Sequence, residues 1–586
     1  MSTPDSGRLG WLRVRLAARA RLGDVQQMLL WAAVAGLVGS LATVVFREAV
    51  SGLLWLLTHQ RAGLVDTARR LLWWQRLLLP CAGGLAAGAV LQWGIRIARG
   101  QSSGDYMEAI ALGDGVVSAR QTLVKSISSL FSIASGGSIG REGSMVQLST
   151  MLASFMGRLA RFSPPRLRLQ VACGAAAGMS SAYNAPIAGA LFVAEIVMGS
   201  IAMESFGPLI VASVVASITI HQLLGYRPTY QMPPFEFAVG WELLLFVVLG
   251  LLAGALAPLF LRLLEITRNG FARLAIPVTL KLGVGGLIVG VLSVSTPEVW
   301  GNGYSVVNSI LHTPWAWQAL LQVLVFKVFA TAATAGSGAV GGVFTPTLFV
   351  GAALGSLFGH AVHGVWPAAD VNSAAYAAVG MGCFLSATTH APFMAILMIF
   401  EMTLSYQIVL PLMLACVTAY YTSRAYRADS IYASSLRRKR VEEPPPAFES
   451  MRVKDLLKPD PPYVLEGSPF SLIAEIFSAH RIQYLYVTDT AGRFRGVIAL
   501  EDIKALLADP SHARDTTSEQ LTRTGFPVLR PEMPLSEAVP LFAAHRGERL
   551  PVVSADEEQR LLGVVAKSDL MLTLSEKLSK LRSDSN

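Results

Sequence analysis

The sequence predicts a polytopic α-helical membrane protein with two internal inverted-topology repeats containing broken and re-entrant helices, followed by a cytoplasmic α/β tail. Three observations predict it. Of 586 residues, 53% are hydrophobic and 15% charged, where soluble chains carry about a quarter charged residues. Apolar runs succeed one another up to about residue 425 and then stop. The same short glycine-rich and Ala-Pro passages occur twice, in the same order, about 200 residues apart.

The runs set the first element. QMLLWAAVAGLVGSLATVVF (27–46), LLFVVLGLLAGALAPLFL (244–261) and LQVLVFKVFATAATAG (321–336) approach bilayer length, whereas MAILMIF (394–400) is short, as in a re-entrant helix. The run at 27–46 has no small-residue cleavage pattern, so it reads as a span rather than a signal peptide. The net charge of +9 comes from clusters at membrane edges: Arg8, Arg13, Arg15, Arg19 and Arg21 before the first span, Arg437, Arg438, Lys439 and Arg440 after the last. Basic flanks favour the cytoplasmic side, which puts both termini on the cytoplasmic face of the membrane and argues against a nucleic-acid partner. Trp73, Trp74, Trp300 and Trp315 lie beside apolar runs and read as interfacial anchors. Cys81, Cys173, Cys383 and Cys416 stand singly, with no metal or disulfide spacing. The division is a basic segment over 1–25, a membrane domain over 26–435 (repeats at about 26–225 and 240–435), a linker over 436–448 containing EEPPP, and a tail over 449–586.

The duplication comes next. SSAYNAPIAGALFVAE (180–195) pairs with SATTHAPFMAILMIFE (386–401), SGGSIGREGS (135–144) with GSGAVGGVFT (336–345), and SSGDY (102–106) with GNGYS (301–305). Two-repeat membrane proteins place their ligand where interrupted helices from both halves meet. A broken helix leaves backbone N–H groups and a positive dipole end, which suit an anion. Pro346 fits the first turn of the second such helix, where a missing N–H costs nothing. Hydroxyls of Ser102, Ser103 and Ser144 add neutral donors.

Glu142 sits inside this anion-suited segment. An ionised carboxylate at membrane depth costs a few kcal/mol, so it must pair, face water or take a proton. One reading pairs it with Arg141 or Lys125. Adjacent residues on a helix do not face each other, and the flanking Gly140 and Gly143 point to a ligand. The favoured reading makes Glu142 a tethered competitor for an anion, released by protonation.

At these residues the chain resembles the CLC family of chloride channels and chloride/proton antiporters. Gly140-Arg141-Glu142-Gly143 resembles the family's G-[KR]-E-G-P motif, with Ser144 in place of proline, and Gly342-Val343-Phe344-Thr345-Pro346 matches its G-x-F-x-P. Asp429-Ser430-Ile431-Tyr432 is similar to the segment carrying the inner pore tyrosine, and Lys125 lies 17 positions before Glu142, as the family's pore lysine does. The resemblance covers roughly residues 25–435. It implies a homodimer in membrane lipid with one anion pathway per subunit. Chloride would be held by Ser103, Tyr432 and the backbone of Val343 and Phe344, with Gly140, Arg141 and Gly143 around it and Glu142 as the gate. Two departures stand out. The family's G-S-G-I-P reads Ser102-Ser103-Gly104-Asp105-Tyr106, and the internal proton glutamate of well-coupled antiporters is Ile196, after Glu195. Glu195 reads as structural, because its repeat partner is Glu401. The expected function is chloride conduction gated by Glu142, channel-like or weakly proton-coupled; the alternative is a chloride/proton antiporter with a non-standard internal proton route.

The tail repeats itself too, over 449–510 and 520–580: strand, helix start, amphipathic helix, apolar strand, then Gly-Val-Ile-Ala or Gly-Val-Val-Ala leading to Asp502 or Asp569. It resembles a tandem CBS pair. Such pairs bind adenine nucleotides through a hydroxyl residue and an aspartate, which would be Asp502 and Asp569, but the hydroxyl positions are Ala499 and Ala566. A dimerisation and stability module is favoured over a nucleotide sensor. No cofactor is required by this reading. An intramembrane hydrolase built on Ser337 with His360, His363 or His390 is the rival from another class, since a nucleophilic serine needs a base in reach; the glycines around Ser337 already have a counterpart in the first repeat.

Overall fold

A computed structural model describes residues 24–97, 105–111, 113–200, 202–225, 228–233, 242–366, 373–433, 451–480, 482–508, 516–545, 547–556, 558–570 and 572. Most of the basic segment at 1–25, Ser102 and Ser103, and the linker 436–448 lie outside these residues. The chain divides into two units, Met1–Leu436 and Arg437–Asn586.

In the first unit, α1 (Asp24–Thr58), α2 (Leu64–Arg70) and α3 (Trp73–Ile97) lead into α4 (Tyr106–Ala111), α5 (Ala119–Ala134), α6 (Glu142–Leu159), α7 (Pro164–Tyr183) and α8 (Pro186–Leu191). The last continues as a wider π-turn over Phe192–Val197, followed by α9 (Met203–Leu224). The second half runs α10 (Glu242–Arg273), α11 (Val278–Ser295), α12 (Tyr304–His312), α13 (Trp317–Gly336), α14 (Phe344–Val365), α15 (Ser373–Thr389), α16 (Pro392–Thr403) and α17 (Val409–Tyr426). Among the described residues eight helices are long and apolar enough to cross a membrane. Their outward faces carry large apolar side chains such as Val45 and Leu244, 68% and 66% exposed, a surface that only lipid or another apolar partner covers without penalty.

The repeats break in the same way for the same local reason. Asn184 (φ 56°) and His390 (φ 57°) take the left-handed conformation that ends α7 and α15. Ala185-Pro186 and Ala391-Pro392 then open α8 and α16 with proline in the first turn. Helices α3 and α11 pack backbone against backbone: a Cβ on Gly84 would strike the Leu282 carbonyl, and one on Gly286 the Pro80 carbonyl. Small residues allow this approach where lipid supplies no hydrophobic drive for helix pairing.

Two expectations need correction. Trp300 is fully buried, with its ring against Gly136, so it is a core residue and not an interfacial anchor; Trp73 and Trp74 are exposed. The glycine-rich passages also align one position differently from the pairing above. Gly136 (φ 99°) matches Gly338 (φ 98°), and Ser135 and Ser337 each donate a hydroxyl hydrogen bond three residues back, to Ser132 and Thr334. That places Ser337 in a helix-end bond of its own, which removes the basis of the hydrolase reading.

The second unit is α/β. Strand β1 (Tyr463–Leu465) pairs parallel with β2 (Tyr484–Thr488), which pairs antiparallel with β3 (Phe494–Ala499); β4 (Arg549–Val553) and β5 (Leu561–Ala566) form a second antiparallel pair. Each half lends its leading segment to the other. Val453 is fully buried among Leu529, Phe542 and Val552 of the second half, whereas Arg523 pairs with Val497 of the first. The two halves are therefore one folding unit, interlocked at both ends.

Candidate functional site

The site forms where two helix starts converge. Residue 140 and residue 342 make a two-bond antiparallel bridge: Gly140 N–H donates to the Gly342 carbonyl at 2.7 Å, and Gly342 N–H to the Gly140 carbonyl at 2.9 Å. Immediately beyond, α6 begins at Glu142 and α14 at Phe344. A Cβ on either bridge glycine would collide with the Glu142 carboxylate. The space the two glycines leave is filled by that side chain. Both bridge amides are engaged in the bridge, so the Gly140 N–H is directed at the Gly342 carbonyl.

Glu142 is 4% exposed. Its Oε1 accepts from the Thr345 backbone N–H at 3.2 Å and its Oε2 from the Thr345 hydroxyl at 3.1 Å. Both lie in the first turn of α14, where unpaired amides and the helix dipole favour negative charge. The carboxylate of one repeat is therefore docked on the helix start of the other. Arg141 stands instead over the Tyr304 ring at 5.8 Å.

Beside this point lies a cavity of about 350 Å³. Glu142, Gly143, Ser144, Val343, Lys125 and Tyr432 line it, so the structure brings together six of the residues singled out from the sequence as donors, gate or pathway groups. Phe344 is buried behind them, ring to ring with Tyr183 at 5.0 Å, and Tyr432 is braced edge-on by Phe192 at 5.7 Å. Asp105, the acid that interrupts the first motif, uses Oδ1 to accept from Met107 N–H at 3.1 Å and so caps the start of α4. Ser103 lies outside the described residues. Sequence reasoning missed Thr345, Tyr183 and Arg268. Arg268 lines the same cavity but sits at the end of an apolar run, where arginine reads as a membrane-edge residue. Thr345 was in view as the variable position of G-x-F-x-P, and its hydroxyl is the signal that could have found it.

Glu195 and Glu401 act as reciprocal caps. Glu195 accepts from Met394 N–H at 2.8 Å and Phe393 N–H at 3.4 Å at the start of α16. Glu401 accepts from Ile187 N–H at 2.9 Å and Ala188 N–H at 2.8 Å at the start of α8. Each acid lies in one repeat and neutralises a helix start in the other. Ile196, next to Glu195 in the π-turn, is half-buried and packs on the apolar core. Lys327, which the Gly140–Gly342 register makes the counterpart of Lys125, is fully buried away from the cavity; its Nζ donates to the carbonyls of Val299 at 2.9 Å and Gly301 at 2.7 Å.

In the tail, Asp502 is bound by Arg523 at 2.5 Å and Asp569 by Lys458 at 2.7 Å. The Asp502 carboxylate raises the Arg523 guanidinium above its ordinary value, mainly through their hydrogen bond. Both aspartates are engaged within the chain.

Residues 82–424 match the family model described as voltage gated chloride channel, and residues 453–509 and 519–576 each match the CBS domain. A ClcB-like protein of Ralstonia nicotianae is 58% identical over 417 residues, 70% of this chain and 97% of that protein. The ClcB voltage-gated ClC-type chloride channel of Citrobacter koseri is 44% identical over 411 residues, covering 69% and 97%. Among solved structures, a slow cyanobacterial Cl−/H+ antiporter superposes with a TM-score of 0.65 at 24% identity, covering 72% of this chain and 99% of its own. A eukaryotic CLC transporter does so at 0.60 and 19% identity, covering 92% and 97%. These two share the fold.

The caps give a prediction. Glu195→Gln and Glu401→Gln each weaken two charge-assisted bonds to a helix start, and each should lower stability by about 1–2 kcal/mol. Thermal unfolding in detergent checks this, with anion flux at 25 °C unchanged because neither acid lines the cavity. Intact stability with lost flux would contradict the structural assignment.

Proposed function

Because the chain belongs to the CLC family of voltage-gated chloride channels and transporters, we propose that it passes chloride through one pathway in each subunit of a homodimer, with Glu142 as a protonatable gate. The observation that carries this reading is the Glu142 carboxylate docked on the Thr345 amide at the start of α14. A carboxylate in that place stands in for a free anion. When protonated it loses the charge that the helix start attracts, and a halide can replace it. Lys125 and Arg268 give the adjoining cavity positive charge, and Tyr432 supplies a hydroxyl at its wall. Val343 and Gly143 bring backbone to the same space, and Ser103 is assigned to its inner end by the motif alone.

Ile196 offers no proton-binding group where well-coupled antiporters of the family carry an acid, and its packing on the apolar core supports channel-like or weakly coupled transport. The surrounding hydroxyls keep a second reading open, an antiporter with a different internal proton route. Basic flanks support cytoplasmic termini in a bacterial inner membrane. For the tail, Asp502 and Asp569 are paired internally and Ala499 and Ala566 bring no hydroxyl, which supports a dimerisation and stability module over an adenine nucleotide sensor.

Two measurements test these proposals. In liposomes, acid should raise chloride flux several-fold, Glu142→Gln should flatten that dependence, and the reversal potential should follow the chloride gradient alone. A pH profile unchanged in Glu142→Gln removes the gate; uphill proton movement driven by chloride replaces the channel reading with the antiporter. Titration of the full chain with ATP, ADP and AMP should leave the tail's melting temperature unchanged, and a saturable rise would make it a sensor.

A further inference from the structure

The hydrogen bonds around Glu142 do not end at Thr345. The Thr345 hydroxyl, which donates to Glu142 Oε2, lies 3.0 Å from the Tyr183 hydroxyl. A threonine hydroxyl has one proton to give. While Thr345 gives it to the carboxylate, Tyr183 must be the donor to Thr345, so the three groups form a directed chain ending on Glu142. Thr345 and Tyr183 are each 1% exposed, which leaves no bulk water to substitute for either hydroxyl.

Tyr183 is held for this task. It is the last residue of α7, just before the left-handed Asn184. Its carbonyl accepts from the Thr229 hydroxyl at 2.8 Å, and its ring packs on Phe344 and Tyr304. The ring thus cannot swing without disturbing both the helix end and the packing at the start of α14.

We propose that Thr345 and Tyr183 form a hydroxyl latch that holds the ionised Glu142 in its plugging place and thereby sets the pH at which the pathway opens. This rests on the gate reading of Glu142. The latch distinguishes the two protonation states: an ionised carboxylate accepts both Thr345 bonds at full strength, while a protonated one is a weaker acceptor with a proton of its own to place. The other groups facing Glu142 are Arg141 on its own helix start, Tyr304 on α12, Tyr230, Tyr106 on α4, and Tyr432. Lys125, Arg268 and Asp105 line the neighbouring cavity. Tyr304 also hydrogen-bonds to Thr345 and loses that partner in Thr345→Val but keeps it in Tyr183→Phe; the fields of the others are common to all variants compared.

The sign follows from the donors. They favour the charged form of the docked acid, so removing them lets it take a proton at higher pH. Chloride flux of the full chain in liposomes, measured from pH 4 to 8, should show the activation midpoint moved up by about one unit in Thr345→Val and about half a unit in Tyr183→Phe. Thr345→Ser, which keeps the hydroxyl, should restore the original midpoint. In a Glu142→Gln background Tyr183→Phe should change nothing further. Should Thr345→Val fail to fold, Tyr183→Phe alone decides, because it removes a single oxygen from an intact ring. If Glu142→Gln flattens the pH profile while Thr345→Val and Tyr183→Phe keep the original midpoint, the latch is refuted and the gate stands. If Glu142→Gln leaves the profile intact, the gate itself has failed.

Discussion

Two backbone hydrogen bonds between Gly140 and Gly342 are the constraint on which the membrane unit depends. Any side chain at either position would occupy the volume that Glu142 fills. The bridge fixes where α6 and α14 begin, and hence where two sets of unpaired amides point. At membrane depth such amides need a partner. The fold provides a tethered carboxylate, Glu142, held by the Thr345 amide and hydroxyl.

A second layer repeats the principle. Glu195 and Glu401 cross between halves to close the starts of α16 and α8, so with Glu142 on α14 three glutamates each hold a helix start in the other repeat. The scaffold is close to symmetric, but its chemistry is not. Lys125 faces the cavity while Lys327 is spent on the carbonyls of Val299 and Gly301. In the same register Arg141 meets Val343 and Glu142 meets Phe344. One repeat supplies the carboxylate; the other supplies the helix start that holds it. Duplication gives two equivalent frames, and divergence of a few side chains turns their junction into a one-sided device.

Much of this was legible in the residues because it is locally determined. Proline after alanine, glycine at close approaches and a lone acid in an apolar run carry their physics with them, and they located the helix breaks and Glu142. What could not be read depends on contacts across long sequence separations. Thr345 lies 203 residues from Glu142, and nothing local says that its hydroxyl faces a carboxylate. Trp300 at the end of an apolar run looks the same whether it meets lipid or, as here, Gly136. The glycine strings match at neighbouring offsets, and only backbone conformation settles the register at Gly136 and Gly338. In the tail, the exchange of Val453 and Arg523 between halves leaves no trace in the pattern of either half, since each segment reads as a plausible start to its own unit.

The most direct test of the account is anomalous diffraction from crystals grown in bromide, comparing the wild-type chain with Glu142→Ala. The account predicts a bromide peak beside the Thr345 amide in the alanine variant, at the place the carboxylate holds in the wild type, and no peak at that place in the wild type. If the variant binds bromide elsewhere and leaves the Thr345 amide without an anion, the seat described here is not the seat of the transported ion.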